Sequence, residues 1–435
     1  MALPDFFDKK GKFIPKWLVD YITLTKIFKT VAGEIFVYDS GVYRRRGKEV
    51  IESLVNACLD VDFRKNHCSE TVFYIQTSSY IDPVKNSVPK NLINVRNGLY
   101  NLDKNSLESH NPDIFSLSQL PVIYDKNADC PTIKKFISEI VKKEDIENLQ
   151  EFAGYCLWRD YHIQKAFMLI GDGENGKSTF LTLLKTFLGI ENTATISLQE
   201  MASDRFATAD LFGKLANIYA DLPNSALKNT GIFKMLTGGD IISAQWKFKD
   251  RFKFINHAKL IFSTNEMPES KDTTHAFFRR WIIIDFPNRF DGAKCDKKII
   301  DKLTTSEELS GMLNWALEGL KRLQQNSHFS NEKSTEETRE KYESESSSVK
   351  SFATNYIEFS STDRIIKTML YNEYLKYCKE NSLPSVAENS FGRKLKETIN
   401  IQNTKIGKKP AWAGIKLKKS VKLVEKLLKE EDLKL

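Results

Sequence analysis

Between residues 165 and 290 the chain alternates short apolar runs with helical patterns. The apolar runs occupy residues 166–170, 215–220, 259–264 and 281–284. Segment 178–188, after the first run, has the apolar spacing of a helix and ends at a glycine. Alternating strands and helices are typical of a parallel sheet covered by helices, so this part is predicted to be an α/β domain.

The pattern changes on both sides of this region. Residues 1–88 mix short helix and strand patterns, and a strand-turn opening at 92–100 precedes two helical segments, 131–142 and 145–157. Residues 327–349 are almost free of apolar groups and mark a boundary, either as an exposed helix or as a linker. The predicted domains are an N-terminal α+β region (1–88), a helical domain (89–160), an α/β core (161–326), a linker (327–350) and a C-terminal domain (351–435).

Composition narrows the class of protein. The chain has 435 residues, 41% hydrophobic and 28% charged, as expected of a globular protein with roughly two to four domains. No run of about eighteen apolar residues predicts a membrane helix, and the N-terminus lacks the apolar region of a secretory signal. The six cysteines include no C-x-x-C pair, which favours free thiols in a reducing, intracellular (cytoplasmic) setting rather than a zinc or disulfide framework.

The positive charge is concentrated near the C-terminus. Residues 361–420 contain 13 Lys or Arg and 5 acidic residues, which accounts for the whole net charge of +8. A local basic module without an apolar amphipathic face favours nucleic acid over a membrane as its partner. A module that docks another protein remains the alternative.

The first apolar run leads into a glycine-rich motif, G-x-x-x-x-G-K-S at 171–178. A strand, a glycine-rich turn and a helix form the setting in which backbone N–H groups cradle phosphates. Lys177 is then expected to reach the β- and γ-phosphates and Ser178 to bind Mg²⁺. The predicted nucleotide-binding residues are Gly171, Asp172, Gly173, Glu174, Asn175, Gly176, Lys177, Ser178 and Thr179. The predicted cofactors are ATP and Mg²⁺.

Polar residues end the next two strands. Asp221 follows the second strand, where an acid holds Mg²⁺ and polarises the attacking water, although acids commonly begin loops. Asn265 ends the third strand, where it can contact the γ-phosphate or orient the water. Arg279 and Arg280 introduce the fourth strand, and either a surface salt bridge or an arginine finger completing a neighbouring subunit's site would explain them.

Residues 246–254 alternate with period two between aromatic and basic side chains, with Asp250 at the centre. This pattern predicts a hairpin with one packed face and one basic face. A protruding basic face on an ATPase can grip a phosphate backbone, whereas the alternative is an ordinary solvated face. The candidate DNA contacts are Lys247, Lys249, Arg251 and Lys253.

The order of these motifs resembles the superfamily 3 helicases. The segments 236–240, 262–265 and 278–281 are most similar to the phage, plasmid and poxvirus-type primase-helicase branch. Residues 95–155 resemble the helical domain before the ATPase in that branch, and residues 351–420 resemble its C-terminal winged-helix domain. The resemblance covers about residues 90–420 and does not extend to an N-terminal primase domain.

The resemblance implies an α/β fold with a P-loop, AAA+-like ATPase core, a preceding helical domain and a C-terminal winged-helix DNA-binding domain. It also implies a hexameric ring that hydrolyses ATP between subunits and translocates 3′→5′ on single-stranded DNA, with forked DNA as substrate and a separate primase as a candidate partner. By position, Lys177, Asp221, Asn265 and Arg280 would be catalytic, Ser178 and Asp221 would bind metal, and Lys247 would contact DNA.

The second motif departs from the family, because many superfamily 3 helicases have two adjacent acids there and Ala220 precedes Asp221 here. Water activation would then fall to Asp221 alone. The alternative to a helicase is an ATP-switched origin-binding initiator without processive unwinding. A P-loop metabolic kinase fits poorly, since such an enzyme does not need a separate basic module.

Overall fold

The computed structural model describes residues 4–86, 88–223, 225–227, 229–290, 296–380 and 385–418. Cys295 and the last seventeen residues of the predicted C-terminal domain, 419–435, lie outside these ranges. The chain divides into two compact units, Met1–Thr338 and Arg339–Leu435. No helix in the described ranges is both long and apolar enough to cross a bilayer.

The N-terminal part of the first unit combines three helices with a small antiparallel sheet. Its elements are α1 (Pro15–Thr23), β1 (Phe28–Val31), β2 (Glu34–Asp39), β3 (Val42–Arg44), α2 (Gly47–Leu59) and α3 (Lys65–Ser78). The strands pair in the order β1-β2-β3. Buried side chains of α1, α2 and β2, among them Leu18, Ile51 and Val37, form a separate core. Their burial explains why this α+β region folds around its own apolar cluster.

The segment before the parallel sheet is only partly helical. It contains β4 (Leu92–Val95), β5 (Gly98–Asn101), β6 (Ser106–Glu108), α4 (Pro131–Ile140) and α5 (Ile146–Leu157). The strands form a second antiparallel sheet in the order β4-β5-β6. Residues 131–140 and 146–157 are thus helical, whereas residues 92–108 form a β-meander.

The central region contains a five-stranded sheet. Its elements are β7 (Ala166–Ile170), α6 (Lys177–Leu188), β8 (Thr193–Ala194), α7 (Leu198–Ser203), β9 (Ala216–Tyr219), α8 (Gly231–Gly238), β10 (Ile241–Gln245), β11 (Arg251–Ile255), β12 (Lys259–Thr264), α9 (His275–Phe278), β13 (Trp281–Asp285), α10 (Ile299–Leu303) and α11 (Ser306–Asn326). The sheet order is β13-β7-β12-β9-β8, and all neighbouring pairs are parallel. The predicted mixed α/β architecture with a parallel sheet is confirmed.

The sheet is buried on both faces, as expected for parallel strands between helices. Every residue of β7 and β12 is buried. Helix α5 packs against α11 so closely that a Cβ on Gly154 would lie 2.2 Å from the carbonyl oxygen of Ala316. Only glycine fits at this crossing. The helix pair therefore caps the same core that holds the central strands.

The second unit has its own core. It contains α13 (Ser348–Tyr356), β14 (Ile357–Ile366), α14 (Lys367–Glu380), α15 (Glu388–Thr398), β15 (Gln402–Ile406) and β16 (Lys409–Leu417). Helix α12 (Thr335–Ser346) contains the division between the units. The strands form an antiparallel sheet in the order β14-β16-β15, and Phe352, Tyr374, Phe391 and Trp412 lie in the core. Helices thus precede a two-stranded β15–β16 hairpin.

Candidate functional site

The glycine-rich loop connects the buried strand β7 to helix α6, in the expected strand–turn–helix order. Gly176 is the residue before the helix and has a φ of +88°. A Cβ there would lie 2.5 Å from Cγ2 of Ile140 on α4. The loop therefore requires glycine at this position both for backbone conformation and for close packing. The free N–H groups of the first turn of α6 then face the loop, where they favour an anion.

A segment after β13 supports the other side of the loop. The amide of Phe290 donates to the carbonyl of Glu174 at 2.7 Å, and the Asn175 side chain donates to the carbonyl of Phe286 at 3.3 Å. The guanidinium of Arg289 also pairs with the Glu174 carboxylate at 3.0 Å. These contacts fix the loop before any nucleotide binds. The sequence gives no signal for them beyond a polar segment after the fourth strand.

Lys177 begins α6 and its side chain turns back over the loop. Its ammonium donates to the carbonyl oxygen of Gly171 and, at 3.3 Å, to Oδ1 of Asn265. Burial lowers the pKa of Lys177, and the carboxylates of Asp172 and Asp221 oppose that shift. A buried cation that has, among the described residues, only the neutral oxygens of Gly171 and Asn265 as hydrogen-bond acceptors is arranged to bind phosphate oxygens.

Asp221 lies at the carboxyl end of β9, and β9 is the neighbour of β12 in the sheet. Its side chain is exposed, and its φ of +61° is unusual for a residue other than glycine. The amide of Leu222 donates to the carbonyl of Ser263 at 2.7 Å, and the Thr264 hydroxyl donates to the carbonyl of Leu222 at 3.2 Å. These bonds tie the end of β9 to the end of β12 and fix the position of the Asp221 backbone.

The structure therefore brings residues from three elements to one edge of the sheet: Lys177 from the loop and α6, Asp221 after β9, and Asn265 after β12. The Ser178 side chain is exposed in the first turn of α6. Hydroxyl and carboxylate oxygens are suitable ligands for Mg²⁺, which keeps most of its coordination for phosphate oxygens and water. The residues present thus fit a magnesium–nucleotide complex.

Arg280 lies directly before β13, and its side chain is buried within this chain. It is 7% exposed, its Nε donates to the Thr237 hydroxyl at 2.9 Å, and a terminal nitrogen donates to the carbonyl of Ala276. Burial and the charge of Arg279 lower the pKa of Arg280, while Asp240 and Asp272 oppose the shift. Its hydrogen bonds join α8 and α9 within one chain, so Arg280 acts here as an internal connector of two helices, and its role as an arginine finger stays a prediction. The neighbouring Arg279 donates to the Gln164 side chain.

The basic–aromatic segment 246–254 forms the turn and most of the second strand of a hairpin. Strand β10 pairs with β11 in antiparallel register, and the connecting turn occupies 246–250. Arg251 and Lys253 are exposed on β11, whereas Phe252 and Phe254 are buried, so period two holds in this strand. It fails in the turn, where Phe248 is 91% exposed with a φ of +63°. Lys247 lies beside it, with Nζ 5.3 Å from the ring centroid.

Lys249 differs from the other three basic residues of the hairpin. Its ammonium lies 3.4 Å from the Glu34 carboxylate and donates to the Gly33 carbonyl at 3.2 Å. The sequence did not predict this contact, because the two segments are far apart in the chain and the pattern of each one indicates only its own local structure. The predicted basic face is thus divided, with Lys249 already paired to an acid of the N-terminal region.

Comparison with known families matches three parts of the chain. Residues 16–142 match the family described as D5 N terminal like, and residues 344–431 match the poxvirus D5 protein-like family. Residues 169–280, which include the glycine-rich loop, match a family of unknown function, DUF5906. The first match begins at residue 16, so the family resemblance extends well before the predicted limit near residue 90.

Comparison with individual proteins also finds a viral protein named as a helicase. A protein of Acanthamoeba polyphaga mimivirus named "Putative helicase L207/L206" is 25% identical over 297 residues. The alignment covers 66% of this chain and 27% of the mimivirus protein, so the chain spans about a quarter of that relative's length.

The solved structure of the NrS-1 C-terminal region, residues 305–718 in its apo form, matches 92% of this chain and 100% of that chain. The TM-score is 0.50 at 13% identity, which shows a shared fold and no more. The sequence matches confirm the resemblance carried by the motifs: this chain is similar to the phage, plasmid and poxvirus-type primase-helicase branch of the superfamily 3 helicases.

Proposed function

We propose that this chain is an ATP-dependent DNA helicase of superfamily 3 type. It would form a ring, hexameric by analogy with the family, and translocate 3′→5′ on single-stranded DNA during replication of a virus, plasmid or integrated mobile element. The observation that carries the proposal is the convergence of Lys177, Asp221 and Asn265 at one edge of the parallel sheet, below a glycine-rich loop.

The proposed roles follow from this arrangement. Lys177 would exchange its contacts with Gly171 and Asn265 for oxygens of the β- and γ-phosphates. Asn265, released from the lysine, could then hold the attacking water through its side-chain amide. Asp221 would orient that water and hold the metal ion together with Ser178. Magnesium, when bound, would neutralise the charge that develops on the phosphates during hydrolysis.

The DNA contact is proposed for the exposed part of the hairpin. Lys247, Arg251 and Lys253 are exposed cations, and Phe248 presents an aromatic ring at the turn. Cations that follow a phosphate backbone and an aromatic ring on which a base can stack are the usual components of single-strand binding. Lys249 would join this set only after leaving Glu34.

The second unit is proposed to be a winged-helix domain that binds DNA. Its order of helices and strands agrees with that fold, with α15 in the place of the recognition helix and the β15–β16 turn as the wing. Arg393 and Lys396 on α15, and Lys408 and Lys409 at the turn, are exposed. Such a basic surface could contact the phosphates of a duplex.

The proposed ATP site and the proposed winged-helix domain would also suit an initiator that assembles on an origin without unwinding DNA. The exposed hairpin favours the helicase, because a switch that only binds and releases DNA does not need a second basic surface beside the ATPase sheet. The two functions differ in whether ATP hydrolysis displaces a strand.

The hairpin is tested by the stimulation of ATP hydrolysis by single-stranded DNA. We expect Lys247→Ala to retain basal hydrolysis but to lose most of the stimulation. Lys302→Ala is the matched control, since it removes the same charge from α10, where the lysine pairs with Asp296 at 2.7 Å. Equal stimulation of the Lys247 variant and the wild-type protein would place the DNA contact elsewhere.

A further inference from the structure

The turn between β1 and β2 is bound to the proposed DNA-contacting hairpin. Glu34 begins β2 directly after this turn, and Ala32 and Gly33 have φ values of +48° and +75°. The Glu34 carboxylate lies 3.4 Å from the Lys249 ammonium, which also donates to the Gly33 carbonyl. A tight turn therefore presents both a carbonyl and a carboxylate to one lysine of the hairpin.

A second set of contacts anchors Glu34 at this position. Arg45 pairs with the Glu34 carboxylate at 3.2 Å, and its guanidinium lies 4.6 Å from the ring centroid of Trp246 at the base of the hairpin turn. The Phe36 ring lies 6.5 Å from the same Trp246 ring. The Glu34 side chain is only 19% exposed. The carboxylate is thus held in place by neighbours on both sides.

Carboxylate and phosphate oxygens bind an ammonium group in the same way, as charge-assisted hydrogen-bond acceptors. An acid that already occupies Lys249 must leave before a DNA phosphate can take its place. The other basic residues of the hairpin, Lys247, Arg251 and Lys253, are more exposed than Lys249.

We propose that Glu34 is an autoinhibitory competitor of DNA: it holds Lys249 through the β1–β2 turn and lowers the affinity of the hairpin for single-stranded DNA until the DNA displaces it. This inference rests on the proposed DNA-binding role of the hairpin and gives the N-terminal region a function in controlling that role. DNA that replaces Glu34 on Lys249 would also release the turn from the hairpin.

The test measures the affinity for fluorescein-labelled oligo(dT) by anisotropy at low salt, with the full chain. Glu34→Gln removes the charge and keeps the side-chain shape, and we expect it to tighten binding about two- to fivefold, the range for a partly exposed ion pair. The gain should shrink as salt rises. Asp39→Asn is the matched control, because Asp39 ends the same strand but pairs with Arg46 instead of the hairpin.

The proposal also predicts coupling between the two residues. In a Lys249→Ala background, Glu34→Gln should no longer tighten binding, since its partner on the hairpin is gone. Lys249→Ala alone should weaken binding less than Lys247→Ala, because the wild-type lysine must first give up Glu34. Unchanged affinity of Glu34→Gln, or an equal gain with Lys249 removed, would overturn the proposal.

Failure of the inference can be told apart from failure of the proposed function. If Lys247→Ala and Lys253→Ala weaken DNA binding while Glu34→Gln does nothing, the hairpin binds DNA and Glu34 has only a structural role. If neither lysine variant changes the affinity, the hairpin is not the DNA contact and both proposals fail. A lowered unfolding temperature of Glu34→Gln without tighter binding would also show a purely structural contact.

Discussion

The ammonium of Lys177 lies 3.3 Å from the side-chain oxygen of Asn265. This contact joins the first turn of α6 to the end of β12, and the two residues are 88 positions apart in the chain. It shows that the glycine-rich loop and the polar residue after the third predicted strand belong to one site. A bound triphosphate would compete with Asn265 for the same ammonium group.

Replacement of Lys177 by alanine should abolish ATP hydrolysis without unfolding the protein. We expect a loss of about a hundredfold or more, since removing a preorganised charge at a reacting phosphate has this magnitude. The measurement is steady-state phosphate release, together with the thermal unfolding midpoint. Lys185→Ala on the same helix is the control. Wild-type turnover of the Lys177 variant would refute the site assignment.

Asp221→Asn tests whether a single acid suffices in the second motif. The amide retains the size of the side chain but cannot act as a charged metal ligand, so we expect a fall in hydrolysis of about a hundredfold and a higher Mg²⁺ requirement. A magnesium titration of the hydrolysis rate measures both effects. An unchanged rate and titration midpoint would assign the metal and the water to other residues.

Arg280→Ala separates an internal connector from an arginine finger. The variant removes the donors that satisfy Thr237 and the Ala276 carbonyl, so the free energy of unfolding should fall by about 2–4 kcal/mol, measured in urea. Arg280→Lys should be less destabilising, because an ammonium can still reach one acceptor.

Mixing variants provides the second readout for Arg280. If Arg280 were a finger, mixtures of Arg280→Ala and Lys177→Ala subunits would regain ATP hydrolysis. At some interfaces the intact Lys177 of one variant would then face the intact Arg280 of the other. An internal connector predicts no such recovery. Recovered hydrolysis with an unchanged free energy of unfolding would support the finger assignment.

Lys259 should make the stability depend on pH. Its ammonium donates to the carbonyls of Trp158 and His257 at 2.7 Å, and burial lowers its pKa to about 7, with Arg159 adding to the shift and Cys156 and Asp160 opposing it. The ordinary pKa of a lysine is 10.5. Between about pH 7 and pH 10.5 the Lys259 side chain therefore binds more protons in the unfolded chain than in the folded protein. The contribution of Lys259 to stability therefore increases with pH from about 7 toward 10, by at most about 1.4 kcal/mol per pH unit.

The measurement for Lys259 compares urea unfolding of the wild-type protein and Lys259→Met at pH 7 and pH 9. Because the variant leaves the two carbonyls without their donor at every pH, it is destabilised throughout. The informative quantity is therefore the change of its free energy of unfolding with pH. We expect the difference between the two proteins to grow in favour of the wild type as the pH rises. Parallel pH dependences would show that the lysine stays charged in the folded state.

The sequence predicted the central sheet well because its strands are continuous apolar runs. The predicted runs 166–170 and 259–264 coincide with β7 and β12, whose residues are all buried. Helix α6 was predicted from its apolar spacing and its terminal glycine, and it begins one residue earlier than expected. Local periodicity carries this information, since burial on one or both faces fixes the apolar pattern.

Contacts between distant segments were not predictable in this way. The pairing of β11 with β10 places residues 246–250 in the turn and leaves Phe248 exposed. The contact of Lys249 with Glu34 and the burial of Arg280 both depend on how elements pack, which one sequence does not reveal. The sequence shows that Lys249 and Arg280 are cations, but it does not predict which groups they contact.

Strand displacement tests the helicase assignment most directly. The substrates are duplexes with a 3′ or a 5′ single-stranded tail, incubated with ATP and Mg²⁺ and with wild-type protein or Lys177→Ala. We predict that the wild-type protein displaces the strand only from the 3′-tailed duplex and that the variant displaces neither. ATP hydrolysis stimulated by DNA without displacement from either duplex would contradict the helicase and favour the initiator.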